Sequence, residues 1–196
     1  ESSQVNQILN KVPMTTLLFM AANIAVYAYQ SLWTVQVMDF SISTFFVAYR
    51  LQLYRIITSA FFHGSIMHIG MNMMSFYALG SSLERLYGTV AFFYMLWLFV
   101  MLGGAMYVAI CFVLAYGGSD MSWCVMVYNS IGFSGVLFSL AVLESFNSPA
   151  PTRSVFGMVS VPTKVYPWVL LVLISVIMPN ISFVGHLAGL LVGFAF

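Results

Sequence analysis

Three short stretches of this chain hold polar side chains among residues that are otherwise apolar. In "GFSG", residues 132–135, Ser134 stands between two glycines at the head of a long apolar run. In "GHLAGLLVG", 185–193, His186 stands beside glycines that recur every four residues at Gly185, Gly189 and Gly193. "HGSIMHIGMN", 63–72, supplies His63, His68 and Asn72. A serine hydroxyl becomes a nucleophile when a neighbouring imidazole takes its proton. Amide and imidazole N–H groups can hold the oxyanion that such an attack creates. Each stretch also has a plainer explanation. Ser134 could cap a helix or fill a narrow space. His186 and Asn72 could be hydrogen bonders between helices, and G-x-S-G is a weak motif where helices pack closely.

The elements that carry these residues follow from composition. The chain has 196 residues, of which 62% are hydrophobic and 6% charged. A soluble domain carries about 25% charged residues. With a mean hydropathy of +0.98, the surrounding solvent is expected to be lipid. A net charge of +1 gives no basic surface, so no nucleic-acid partner is expected. Uncharged runs predict six spans in one membrane domain covering 1–196, an all-α bundle with helices at roughly 14–31, 66–86, 89–116, 133–147, 162–178 and 182–196. The last two are separated at "MPNIS", where proline removes a donor and asparagine favours a turn. The stretch between the first two spans is too apolar for a free loop. It is expected to lie partly in the membrane interface as short helices.

Two cysteines, Cys111 and Cys124, make no disulfide framework, and Cys111 reads as a small core residue. Residues 1–12 lack the layout of a signal peptide. The start at Glu1 and the apolar end at Phe196 suggest a fragment of a longer protein. Lys11, Arg85, Arg153 and Lys164 fall on the N-terminal side of the spans, Arg50 and Arg55 on the other. That bias puts the N-terminus in the cytosol and the opposite face toward the lumen or cell exterior.

Depth links the three stretches. Ser134 to Phe146 makes ~20 Å of helix against a hydrocarbon core of ~30 Å. If the far end reaches the cytosolic face, Ser134 lies roughly 10 Å below the opposite surface. His186 is a few residues into its span from that same surface. His68 and Asn72, four apart, share one helix face. The acids are Glu1, Asp39, Glu84, Asp120 and Glu144, and none neighbours His186 within a span. A serine–histidine dyad therefore fits better than a triad. Phe138, one turn after Ser134, offers the imidazole an aromatic surface. This chemistry calls for no metal and no cofactor.

In order and spacing, these motifs resemble those of the rhomboid intramembrane serine proteases, over roughly residues 14–196. "HGSIMHIGMN" is similar to the family's H-x4-H-x3-N, "GFSG" to its G-x-S-G and "GHLAGLLVG" to its H-x2-G-x3-G. Tyr54–Arg55 resembles a Trp-Arg pair of the first loop, and "SLERLYG", 82–88, the close of helix two. The resemblance implies that Ser134 is the nucleophile and His186 the general base. It implies an oxyanion hole of Asn72, His68 and the Ser134 backbone N–H. Gly132 matches the first motif glycine, and Gly135 and Gly189 serve close packing. Phe138 stands where some members carry a tyrosine that stacks on the histidine; the ring is kept and the hydroxyl lost. His63 matches a loop histidine of structural role.

Substrates would be single-span membrane proteins in the lipid bilayer, unwound locally near the lumenal or extracellular side. They would be admitted past helix five (about 162–178) and the loop "PNISF". Two other functions compete. A rhomboid-fold pseudoprotease that binds or dislocates membrane clients would typically lack the serine or the histidine, and both are present. A transporter or channel would want acids inside the spans or an internal repeat. The sequon at Asn180 is expected to be unused, its loop being too short to leave the membrane.

Overall fold

The computed structural model describes residues 12–116, 128–155, 157, 159–178 and 181–196. Glu1, Lys11, Asp120, Cys124, the Asn180 sequon and the N-terminal segment read for a signal peptide lie outside the described residues. Among the described residues, six helices of twelve or more residues lie in the apolar runs. They are α1 (Met14–Leu32), α4 (Ile66–Tyr87), α5 (Thr89–Tyr116), α6 (Ser134–Asn147), α7 (Tyr166–Ile177) and α8 (Phe183–Ala195). The short α2 (Thr44–Tyr49) and α3 (Tyr54–Phe61) fill the segment between α1 and α4.

Helix boundaries follow local chemistry. Pro13 precedes α1, where its missing N–H costs nothing. Ser65 caps α4 by accepting the His68 N–H at 3.1 Å. Gly88 ends α4 with φ 83°, a conformation that favours glycine. Ser182 caps α8 by accepting the Gly185 N–H at 3.0 Å. Among the described residues, only α5 is by itself long and apolar enough to cross a membrane, with 28 residues and a hydropathy of 2.4. Helices α6, α7 and α8 are apolar but have 14, 12 and 13 residues, ~20 Å each. The sixfold crossing therefore does not follow from helix length alone.

Two small antiparallel pairs accompany the helices. Strand β1 (Ile42–Ser43) pairs with β2 (Asn129–Ser130), and β3 (Thr152–Val155) pairs with β4 (Val159–Pro162). The first pair is two residues long and ties the α1–α4 segment to the strand that leads into Gly132. The second is a hairpin with Gly157 at its turn, φ 74°.

The segment between α1 and α4 exposes Trp33, Met38, Phe46, Tyr49, Leu51 and Leu53, as a layer at the membrane interface would. Arg55, counted above only for the charge bias across the membrane, is 4% exposed. Its Nη1 donates to the Met38 and Ser41 carbonyls, both at 2.8 Å, and its Nε to Gln52 Oε1 at 2.7 Å. The guanidinium lies 4.5 Å from the Phe46 ring centroid. Arg55 therefore knits the segment together from inside, because a buried guanidinium must satisfy its donors on nearby carbonyls.

The core sits between α4, α5 and α6 around Phe76, Leu83, Phe92, Leu96, Phe133 and Leu140. Buried Glu84, near the end of α4, accepts the Thr15 N–H at 2.8 Å and the Thr16 N–H at 2.7 Å. The Thr16 hydroxyl also donates to it, at 2.8 Å. Glu84 thus caps α1 from another helix, where orphan donors and the positive dipole end favour a carboxylate. The closest helix contact is α6 against α8. A Cβ on Gly189 would stand 1.9 Å from the Gly135 carbonyl oxygen, and one on Gly193 would stand 2.8 Å from that of Ser139.

Candidate active site

Ser134 is the first residue of α6, and the turn before it is held from three sides. Gly132 adopts φ 110°, open to glycine and strained for other residues. Its N–H donates to the Ser59 carbonyl at 2.7 Å. The Phe133 ring is fully buried against Phe19, Phe61 and Phe76. The Phe133 N–H donates to His63 Nε2 at 3.4 Å. His63 Nδ1 lies 3.1 Å from the Phe61 carbonyl, so Nδ1 carries the ring proton and Nε2 is the acceptor. His63 thereby braces the turn.

Across from this turn, His186 stands near the start of α8 and is 3% exposed. Its Nε2 lies 2.8 Å from Ser134 Oγ. If Nε2 accepts the serine proton, the imidazole proton must sit on Nδ1, which is buried without a hydrogen-bond partner. The Phe138 ring packs on the imidazole, with centroids 4.7 Å apart and planes tilted by 32°. Among the described residues no carboxylate bonds to His186. Glu84 is engaged by Thr15 and Thr16, and Glu144 pairs with Arg153.

The first turns of α4 complete the site. The His68 ring lies over Gly132, where a Cβ would come within 2.7 Å of it. His68 Nδ1 faces the Gly64 N–H at 3.5 Å, which leaves the ring proton to Nε2. That Nε2 is buried and without a partner. Asn72 is buried too, and one of its Nδ2 hydrogens goes to the His68 carbonyl at 2.9 Å. His68, Asn72, Ser134, Phe138 and His186 line a cavity of about 80 Å³, whose lining also includes Ile174 and Met178. A second cavity of about 50 Å³ lies on another side of Ser134, among Ser59, Ser130, Gly104 and Tyr107.

All the expected site residues thus gather around Ser134. Gly135 and Gly189 form the helix crossing, and Gly185 lets α8 approach Ser130. Two neighbours were not foreseen. Gln30 at the end of α1 grips the His63 backbone, donating from Nε2 to its carbonyl at 2.5 Å and accepting its N–H at 3.3 Å. Ser139 donates to the Gly189 carbonyl at 2.6 Å. The signal for both is a lone polar side chain inside an apolar stretch, but its partner depends on how helices cross.

A family profile described as the Rhomboid domain matches residues 50–196. Rhomboid-like protein 15 of Arabidopsis thaliana is 40% identical over 147 residues, covering 75% of this chain and 36% of that protein. Rhomboid-related protein 4 of Mus musculus is 34% identical over 195 residues, covering 97% of this chain and 59% of that protein. Rhomboid-type serine protease 2 of Neurospora crassa is 33% identical over 148 residues, covering 74% and 50%. The chain therefore spans 36–59% of the length of these relatives. The three motifs around Ser134 all fall within the matched stretch, so the chain belongs to the rhomboid family of integral membrane proteins.

Proposed function

We propose that this chain is an intramembrane serine endopeptidase that cleaves single-span membrane proteins with a Ser134–His186 dyad. The observation that carries the reading is the 2.8 Å contact between His186 Nε2 and Ser134 Oγ, made by two helices packed at glycine distance. His186 takes the hydroxyl proton as Ser134 Oγ attacks the scissile carbonyl. The tetrahedral oxyanion is held by the Ser134 N–H, His68 Nε2–H and the second Nδ2–H of Asn72. A buried donor without an acceptor costs about 1–3 kcal/mol, and an oxyanion at this place would satisfy His68 Nε2. Collapse breaks the C–N bond, and the proton on His186 Nε2 passes to the leaving amine. Water then attacks the acyl ester and gives a proton to His186; collapse breaks the C–Oγ bond, and His186 returns that proton to Ser134 Oγ.

In this reading all six long helices cross the bilayer, the shorter ones with local thinning or snorkelling at their ends. The N-terminus is cytosolic, and the cavity beside His68 and Asn72 opens to the lumenal or extracellular side to admit water. The substrate helix unwinds there, since its carbonyls are otherwise engaged in its own hydrogen bonds.

The test is proteolysis of a single-span substrate by purified protein in liposomes. Cleavage is expected from wild type and is expected to vanish in Ser134→Ala and His186→Ala. Equal cleavage by both variants would sink the dyad. Failure of wild type on several substrates would end the protease reading.

A further inference from the structure

Between Ser134 and Glu144, Ser139 is the only polar side chain of α6, and it is fully buried. A serine inside a helix usually bonds back to the carbonyl four residues earlier. Here that carbonyl, of Gly135, is 3.5 Å away, whereas the Gly189 carbonyl of α8 is 2.6 Å away. The hydroxyl has turned from its own helix to the neighbour. Its two ends are placed suggestively. Ser139 lies five residues after Ser134, and Gly189 lies three residues after His186. The bond therefore joins the helix of the candidate nucleophile to the helix of the candidate base, about one turn below both.

Glycine faces let backbones approach. Gly135, Gly189 and Gly193 account for the closeness of α6 and α8. The Ser139 bond adds a directed contact, whose geometry depends on how the two helices are aligned. We propose that Ser139 is a positioning residue whose hydrogen bond to the Gly189 carbonyl sets the register of α8 on α6, and with it the reach of His186 Nε2 to Ser134 Oγ. The inference rests on the dyad reading above for its catalytic consequence.

The test compares Ser139→Ala, Ser139→Thr and Ser139→Val in the full chain. Threonine and valine have nearly the same shape and differ in the hydroxyl. Three quantities are read per folded molecule: the rate at which a fluorophosphonate labels Ser134, kcat and KM on a single-span substrate, and the 15N resonance of His186 Nε2. Ala and Val are expected to slow labelling and kcat by about 10-fold or more with KM little changed, because a small misplacement of reacting groups is costly. Thr is expected to keep most of the wild-type rate. Wild-type labelling and kcat in Ala overturn the proposal, as does Thr failing as badly as Val while still folded. If Val does not fold, the smaller Ala decides. The imidazole resonance needs no turnover. In Ser139→Ala it is expected to shift toward its value in Ser134→Ala, and an unchanged resonance overturns the proposal. Absence of hydrolysis in wild type would instead count against the protease reading alone.

Discussion

The two flanks of Ser134 are built in opposite ways. On one, α8 lies so close to α6 that Gly189 has no room for a Cβ, and Ser139 bolts the pair together. On the other, α7 buries only Pro167 and Leu171 and leaves Val172, Val176 and Ile177 exposed. Its buried Leu171 packs with Phe138, Val142 and Leu190, and Trp168 stacks on Phe194. In the turn just before it, the Thr163 N–H and hydroxyl donate to the Pro151 and Ala150 carbonyls, and Arg153 lies 4.6 Å from the Tyr166 ring centroid. Its other end, at Met178, borders the cavity beside Asn72 and His186. Proton transfer needs two side chains held at fixed distance, and admission of a chain needs an element that gives way. In the proposed protease reading these needs fall on two different helix contacts.

The closed flank is the more fragile to substitution. Gly189→Ala puts a methyl 1.9 Å from the Gly135 carbonyl oxygen, where backbone must move. Overpacking of this kind is expected to cost about 1–3 kcal/mol, read as a lowered unfolding midpoint. Turnover should fall by more than about 10²-fold as His186 leaves Ser134. A Gly189→Ala protein with wild-type kcat would mean the close crossing is incidental to the site.

Gly132→Ala attacks the turn that leads into Ser134. The new Cβ would meet the His68 ring at 2.7 Å, on a backbone with φ 110°. Loss of one oxyanion donor commonly costs ~10²–10³ in turnover, and a displaced His68 should approach the lower figure. The effect should largely vanish in a His68→Ala background, since the donor is already gone. Full additivity of the two changes would show that the turn, and not His68, is what alanine disturbs. Gln30→Ala should act more weakly, because Gln30 touches only the backbone of His63. Losing its two bonds is expected to lower stability by about 1–2 kcal/mol and kcat a few-fold, measured by unfolding and by initial rates.

The contrast between flanks also separates what a sequence can reveal from what it cannot. Lipid makes polar residues conspicuous, so Ser134, His186, His68 and Asn72 stood out against their apolar runs. The break after Ile177 was readable from "MPNIS" and the close of α4 from "SLERLYG", while the starts at Pro13 and Ser65 were not read. Partnerships across helices were not. Ser139 and Gln30 bond to carbonyls, which every residue offers, so nothing in their spacing names Gly189 or His63. Arg55 was counted only for orientation, and its burial is not legible because its acceptors are the Met38 and Ser41 carbonyls and the Gln52 side chain. The β3–β4 hairpin does alternate, but its valines read equally well as part of an apolar chain. The β1–β2 pair joins Ile42 to Ser130 and Ser43 to Asn129, 88 and 86 residues apart in sequence, through two residues each.

The open flank yields the smallest expected effect and the sharpest contrast. Arg153 pairs with Glu144 at the end of α6 and stacks on Tyr166 at the start of α7. Its side chain is 34% exposed, so the pair is expected to contribute only ~0.2–1 kcal/mol to stability. Arg153→Ala should therefore leave the unfolding midpoint nearly unchanged. Labelling of Ser134 by a small phosphonate should also be unchanged, since that reagent needs only the closed flank. If the base of α7 serves as its pivot, KM for a single-span substrate should move by about twofold to threefold while kcat holds, the pattern of altered binding without altered chemistry. Slower labelling in Arg153→Ala would mean that the two flanks are mechanically joined, and that α7 takes part in holding His186 on Ser134.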